Sequence, residues 1–569
     1  MEGLKQKRIV SEAKLRKEGT VCLNLNMIYE RISGISQEDK ERCILLEQEI
    51  EYDISYPNAA GFALYRKFCE KGKEIIVISD MYLEKELLLR ILKKCGYDIK
   101  RIFVSNLEGQ SKANGGKLFL KVCKELGIAP KNLLHIGDNI KSDYFFAKKN
   151  QIKAILLRES KRESPLERYI RNTERFCIGE DEKIGYTCFG AVTLGFVLWL
   201  REVCKKQKIT TLYFFSREGF FYKKLFDLLF GTEIKTEYLY VSRKSLSVPL
   251  LQFCKSFEDF GRIIYLNYPS MTIEQFFQKL GIGEDKIFMD HILTQLGMNK
   301  NSLLSSIQDS ALFFKLIKDK IDVISKKQFE YISNYLRANI TERNHNVGIV
   351  DIGWTGAMQN NFTTILEKNG IQNNYIGLFM GQKEEMETYL KEGMCNYGYL
   401  FGYQNRREQE IITSGCGVLE FIYHADHGTT MGYNEQGPIL GEVGMIPSTI
   451  IHLKAVQKGI LQFAEQTAQI QKKYKVFSFE SIQEQVLHFF KNPNSAMLDQ
   501  IGEWQVDEED GKIAPKTPVF PAQEFYKELI SCAWQVGFLK RNLKVKAPYF
   551  KVVCLARRVR KRWIRYKNT

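Results

Sequence analysis

From Glu74 onward, short apolar runs rich in β-branched residues alternate with helical stretches. The first four runs are Glu74-Ile-Ile-Val-Ile-Ser79, Arg101-Ile-Phe-Val-Ser105, Leu133-Leu-His-Ile136 and Lys153-Ala-Ile-Leu-Leu157. Residues 84–95, 116–126 and 143–150 lie between them and read as helices. Strands that are apolar on both faces, joined by helical crossovers, belong to a parallel sheet covered on both sides. Crossovers of this kind are right-handed. The expected fold is α/β, with a Rossmann-like parallel sheet.

A second series follows. Thr211-Leu-Tyr-Phe-Phe215 leads into Ser216-Arg217-Glu218, and Glu237-Tyr-Leu-Tyr-Val241 into Ser242-Arg243-Lys244. Val347-Gly-Ile-Val350 ends in the loop Asp351-Ile-Gly353-Trp-Thr-Gly356, and Tyr375-Ile-Gly-Leu-Phe379 closes the series. Residues 272–340 read as mostly helical, and the chain from about 385 as helical and loop-rich. Before the first strand, residues 1–72 read as helices capped by Asn24 or Asn26, by Ser36 and by Asn58, with Gly72 as the last stop. The expected layout is a helical cap-like segment (1–72), a first α/β core (73–160), a linker and buried helix (161–205), a second α/β domain (206–384), a helical and loop-rich region (385–539) and a basic tail (540–569).

A chain of 569 residues exceeds what one hydrophobic core organises, so two or three domains are expected. Its thirteen cysteines include no Cys-x-x-Cys pair and no Cys/His cluster at zinc spacing, and they read as free thiols of a reducing cytoplasm. Residues 1–19 are mostly polar and read as a helix, not a leader. Residues 184–200 form a charge-free run at the lower edge of a spanning length. Gly185, Gly190 and Gly195 within it favour a buried helix packed closely against a sheet. The net charge of +16 is concentrated at one end, where residues 540–569 hold twelve Lys/Arg and no acid. With Tyr549, Phe550, Trp563, Ile564 and Tyr566 interleaved, this tail suits the inner, anionic face of a membrane, at about 1 kcal/mol per basic residue. A solvated tail without a partner is the alternative. Nucleic acid is disfavoured, because the remainder is close to neutral and shows no basic stripe.

Three motifs carry chemistry. The run that opens at Leu133 ends in Gly137-Asp138, and a second carboxylate, Asp143, follows five residues later. Ligands of open α/β sheets lie at such strand tips, and two carboxylates on one loop suit a hard cation such as Mg2+. Ser79 ends another strand in Ser79-Asp-Met-Tyr82, and Lys112 stands in Ser111-Lys-Ala-Asn-Gly115. In this order the three resemble the second, third and fourth motifs of the haloacid dehalogenase-like (HAD-like) hydrolase superfamily. The resemblance implies that Ser79 hydrogen-bonds phosphoryl oxygens, Lys112 balances their charge, and Asp138 and Asp143 hold Mg2+. It also implies a helical cap, here residues 1–72. Read singly, the same residues are a strand-ending serine, a solvated lysine and a helix cap.

The wording Ser79-Asp-Met-Tyr-Leu83 and His135-Ile-Gly-Asp-Asn139, with a long extension behind it, is similar to large bacterial members that accompany glycosyltransferases in surface-polysaccharide biosynthesis. The similarity extends to Phe215-Ser-Arg-Glu-Gly-Phe-Phe221, Tyr240-Val-Ser-Arg243 and Val350-Asp-Ile-Gly-Trp354. It implies a phosphorylated small molecule or sugar phosphate as substrate and glycosyltransferases as partners. One family feature is missing: an apolar strand ending in a nucleophilic Asp, upstream of the rest. The upstream candidates, Asp39 and Asp53, lie in helical, polar sequence. A chain shortened at its N-terminus and a degenerate pseudoenzyme both account for this. A non-enzymatic scaffold or regulatory partner of membrane-associated glycosyltransferases is the competing expectation.

In the second α/β domain, Arg217 and Arg243 follow strands, as does the Gly353–Gly356 loop with Asp351. Together they suit a phosphate or sugar-nucleotide group, held by guanidinium forks and loop N–H groups. Turn glycines with surface ion pairs are the plainer reading. Glu420 and His424 lie one helical turn apart beside Asp426 and His427, a metal-compatible spacing that also fits a helix end.

Overall fold

A computed structural model describes residues 3–20, 23–158, 163–264, 271–283, 285–389, 394–507, 511–543 and 545–567. The chain divides into two units. One is Met1–Ile178 with Gln469–Phe477, and the other is Gly179–Ala468 with Ser478–Thr569.

In the first unit, β1 (Ile76–Ser79) pairs in parallel with β2 (Arg101–Val104), and β3 (Leu134–Gly137) with β4 (Lys153–Leu156). Among the described residues no ladder joins the two pairs. The side-chain alternation of β2 sorts its neighbours. Ile102 and Val104 pack with Leu25, Ile28, Leu83 and Leu87 on one side, while Phe103 packs with Leu118, Phe119 and Val122 of helix Lys117–Glu125 on the other. Ahead of β1 stand the helices Leu4–Lys17, Leu25–Glu30, Gln37–Ile54 and Ala59–Glu70. Asn24, Ser36 and Asn58 cap the last three by accepting from Met27, Asp39 and Gly61 N–H groups. Within 158–180, residues 159–162 lie outside the described residues. The rest includes helix Pro165–Thr173, opened by a reciprocal cap between Ser164 and Glu167.

The second unit is built on a five-stranded parallel sheet. Its strands are β5 (Thr211–Phe215), β6 (Lys235–Leu239), β7 (Asn346–Trp354), β8 (Asn374–Gln382) and β9 (Cys395–Phe401), in the order β6-β5-β7-β8-β9. The molecule is thus mixed α/β, as the alternation of apolar runs and helices predicts. One face of the sheet buries Tyr213, Phe215, Val347 and Ile349 against Ile332, Leu336 and Phe362. Residues 257–321 contribute a separate helical core around Phe257, Phe276, Phe277 and Phe313.

The structure corrects three sequence expectations here. The loop expected at 351–356 is mostly strand, because β7 continues through Trp354 with Asp351 opposite Phe379 and Gly353 opposite Gly381. Gly353 (φ 113°) makes this close passage possible, since a Cβ there would stand 2.3 Å from the Gly381 carbonyl oxygen. Tyr375-Ile-Gly-Leu-Phe379 does not close the sheet, because β9 adds a further strand within the region expected to be helical and loop-rich. β6 begins two residues earlier than its apolar run.

The apolar run at 184–200 belongs to helix Glu180–Gln207, the one described helix long and apolar enough to cross a membrane, and 67% of its apolar window is buried inside the protein. Its glycines explain that burial. A Cβ on Gly185 would lie 1.9 Å from the Val456 carbonyl oxygen, and one on Gly459 would lie 1.9 Å from that of Glu182. This helix and helix Pro447–Tyr474 therefore touch backbone to backbone, and Gly195 admits the Tyr399 hydroxyl of β9. The basic tail is helical over Gln535–Leu543 and Tyr549–Lys567. Arg541 is buried, pairing with Glu503 at 2.6 Å and Asp499 at 3.2 Å. The side chains of Trp563, Ile564 and Tyr566 lie outside the described residues.

Candidate functional sites

In the first unit the three motifs converge at the C-terminal tips of β1 and β3. Lys112 Nζ donates to Asp143 Oδ1 at 2.6 Å, and His135 Nε2 lies 3.2 Å from the same oxygen. The Asn139 N–H donates to Asp143 Oδ2 at 3.0 Å. All three side chains, Lys112, His135 and Asp143, are buried. Burial alone would raise the Asp143 pKa, but the His135 hydrogen bond and the Lys112 charge hold it well below the usual carboxylate range. Gly137 is glycine for a local reason: a Cβ would stand 2.5 Å from Asp143 Oδ2.

Three residues outside the expected set complete this arrangement. Asp80, directly after Ser79, accepts from the N–H groups of Lys112 and Ala113, both at 2.9 Å. It thereby pins the loop that presents Lys112. Asn150 Nδ2 donates to Gly115 O at 2.9 Å and fixes the far end of the same loop. His135, packed edge-on against Phe119 at 4.7 Å, is the third addition. The Ser-Asp order after an apolar run was the available signal for Asp80; its partners lie over thirty residues away and are set by tertiary structure.

Asp143 is not the cap of the following turn. Asn139 is, accepting from the Lys141 and Ser142 N–H groups. Ser79 ends β1 half-buried, and Asp138 is exposed at the tip of β3. Asp39 and Asp53 lie elsewhere in the unit. Asp39 sits in a helical first turn beside Ser36, and Asp53 accepts from the Tyr474 hydroxyl at 2.8 Å. The donors at the β3 tip have the chemistry a hard cation takes, with Asp138 open and Asp143 already balanced by Lys112. Among the described residues, no three His, Cys, Asp or Glu side chains are grouped as a metal site.

In the second unit β5 crosses over to β6 on one side and β7 to β8 on the other, so the sheet changes direction between β5 and β7. Open α/β sheets form their ligand crevice at that point. Glu218 follows β5, and Asp351 lies in β7 at the same end; both are buried. Burial first, and then the Glu218 charge, push Asp351 up to about 7, against the pull of the Ile352 N–H and the Arg243 charge. Glu420 adds a third negative charge there, while its Oε1 accepts from Trp354 Nε1 at 2.8 Å. Arg243 is exposed and Arg217 half-buried. Gly356 is the left-handed residue before helix Ala357–Lys368.

Sequence reasoning missed the aromatic part of this edge. Phe220, Tyr238, Tyr240 and His427 form a cluster, with ring centroids 5.1 to 6.2 Å apart. The Tyr238 hydroxyl and His427 Nε2 are 2.8 Å apart. Glu420 Oε1 accepts from Trp354 Nε1 at 2.8 Å, and His424 Nδ1 lies 2.5 Å from its neighbour's carbonyl, Ala425 O. No protein-family model matches this chain, and no curated protein matches it significantly.

Proposed function

We propose that the first unit is a HAD-like domain for Mg2+-dependent hydrolysis of phosphate esters, with a phosphorylated small molecule such as a sugar phosphate as substrate. The observation that carries this reading is the convergence of Lys112, Asp143 and His135 beside the tips of β1 and β3, with Asp80 fixing the lysine loop. Lys112 would place its ammonium beside the transferring phosphoryl group, and Ser79 would donate to a phosphoryl oxygen. Asp138 is the open carboxylate and would be the direct ligand of Mg2+. Asp143, saturated by Lys112 and the Asn139 N–H, would hold the loop and the lysine. The bound cation supplies charge neutralisation at the phosphoryl oxygens.

The reading requires a nucleophilic Asp on a strand. β1 and β3 each carry a ladder on one side only among the described residues, which leaves backbone positions for such a strand. Among the described residues upstream of β1, Asp39 and Asp53 both lie in helix Gln37–Ile54, and neither ends a strand as the covalent step requires. The test is Mg2+-dependent phosphate release, measured for this chain and for the longest in-frame product of its gene, each with its Asp138→Asn variant. Turnover in the longer product that Asp138→Asn abolishes supports the reading. Absence of turnover in both folded proteins sinks it.

One observation favours the second reading, a membrane-docked scaffold for glycosyltransferases. Helix Tyr549–Lys567 exposes Val552, Leu555 and Val559 along one stripe of a strongly basic segment. This is the arrangement of a helix that lies in an anionic interface. It fits a protein working at the inner face of a membrane whether or not the first unit is catalytic.

A further inference from the structure

The two strand pairs of the first unit are halves of one layer. Ile76 and Ile78 of β1, Phe103 of β2, Leu133 just ahead of β3 and Ala154 of β4 all pack in the core built on helix Lys117–Glu125. The His135 ring of β3 meets Phe119 of that helix at 4.7 Å. The C-terminal tips of β1 and β3 lie at the same end. Lys112 donates its N–H to Asp80, just past β1, at 2.9 Å and its ammonium to Asp143, past β3, at 2.6 Å. One lysine thus spans both tips. Yet among the described residues β1 has a ladder with β2 alone, and β3 with β4 alone.

Burial marks an open place between them. Parallel sheets covered on both faces bury their inner strands most completely. Here the order is inverted. Ile102, Phe103 and Val104 of β2 are buried, whereas Ile76 and Val77 of β1 and Leu134 and Ile136 of β3 are only half-buried. Half-open apolar residues on two strands, each with an edge that no ladder uses, make a slot.

The slot selects its occupant. An extended backbone can pair with both edges at once, whereas a helix spends its hydrogen bonds on itself. Side chains of such a strand alternate between the core of helix Lys117–Glu125 and the face of Val77, Leu134 and Ile136, so both sets are apolar. Charge adds a direction. Exposed Lys71, Lys73 and Lys131 stand ahead of β1 and β3, while Glu74 beside them is matched by Arg101 at 3.5 Å. A parallel strand entering at that end is favoured by acidic residues in front of it.

We propose that the slot between β1 and β3 binds a short apolar segment of another protein as an added parallel strand, with acidic residues preceding it at the lysine end. Both cores and the Lys112–Asp143 pair are formed without that strand, so the segment joins a folded unit. The proposal uses the same open edges as the hydrolase reading, but it asks for no aspartate and no chemistry.

The experiment adds the fluorescein-labelled peptide EETVIVVTG to the full chain and reads anisotropy, then hydrogen exchange by mass spectrometry. Binding should saturate, and exchange should slow by about tenfold or more in both 74–80 and 133–138 while 211–215 is unchanged. Replacing the central isoleucine of the peptide by proline, or its two glutamates by lysines, should each weaken binding by about tenfold. The proposal is overturned by lack of saturable binding, by equal binding of the proline peptide, or by protection of one strand segment alone. It is also overturned if both segments are protected without peptide and increasingly so with protein concentration, which would give the slot to a second copy. Phosphate release decides the hydrolase reading separately: peptide binding without turnover leaves this proposal standing, and turnover without peptide binding removes it.

Discussion

Lys112 Nζ and Asp143 Oδ1 stand 2.6 Å apart with both side chains nearly removed from solvent. An ion pair in that position is expensive to break from one side, because the surviving charge keeps its desolvation penalty and loses its partner. The pair also ties two of the three sequence motifs together: the lysine loop meets the β3 tip and the turn after it through one carboxylate.

Removing Lys112 alone should therefore destabilise the first unit strongly. Lys112→Met is expected to cost about 3–5 kcal/mol in urea unfolding followed by a probe in that unit. The double variant Lys112→Met/Asp143→Asn should recover much of the loss. A single-variant cost below about 1 kcal/mol would mean that the pair behaves like an exposed one.

Asp351 gives the second unit a distinctive pH response. Its folded pKa, raised by burial to about 7, lies above the ordinary value of 3.8. Between those values the folded state binds the proton that the unfolded state has released. The contribution of Asp351 is therefore fully present below about pH 4 and is lost as pH rises through 7, with a limiting slope of ~1.4 kcal/mol per pH unit. Asp351→Asn should flatten this part of the stability–pH curve, measured by urea unfolding at a series of pH values. An unchanged slope in the variant would place the titration elsewhere.

Reciprocal glycines fix the contact between helices Glu180–Gln207 and Pro447–Tyr474. Gly459→Ala puts a methyl group where the Glu182 carbonyl oxygen is 1.9 Å away, and backbone cannot rotate aside as a side chain can. A loss of about 1–3 kcal/mol is expected, visible as a lower Tm. Gly179→Ala is the control. Its Cβ would meet only Glu182 Cγ, at an ordinary 3.9 Å, and Tm should hardly move.

The basic helix at the C-terminal end should bind anionic vesicles. The full chain is expected to co-sediment with phosphatidylserine-containing vesicles at low salt and to leave them at about 0.5 M NaCl, where the Debye length falls to roughly 4 Å. Leu555→Gln/Val559→Gln should weaken the association through the lost apolar stripe. Equal sedimentation with neutral vesicles would remove the electrostatic component.

Most of the sheet strands were legible in sequence because they are nearly uniform apolar runs, as in β5, where all five residues are buried. β9 was not, because this edge strand mixes exposed Cys395 and half-buried Asn396 and Gly398 with its apolar end. The end of β7 was misread for a related reason. Asp351 and Gly353 look like loop residues until the Gly381 backbone is known to pass within contact of Gly353. The order of the motifs brought Ser79, Lys112 and Asp143 together as candidates. It contained nothing about Asp80 reaching across to the Lys112 loop, since that depends on how β1 and the loop are brought together in space.

The two unjoined strand pairs have a practical consequence at the bench. Among the described residues no ladder uses the outer edges of β1 and β3, whose backbone donors and acceptors, in extended register, suit an added extended chain. A second copy of the protein qualifies as readily as a dedicated strand. Concentration-dependent self-association of the isolated polypeptide, and its suppression by an added β-forming peptide, would report directly how hungry those edges are.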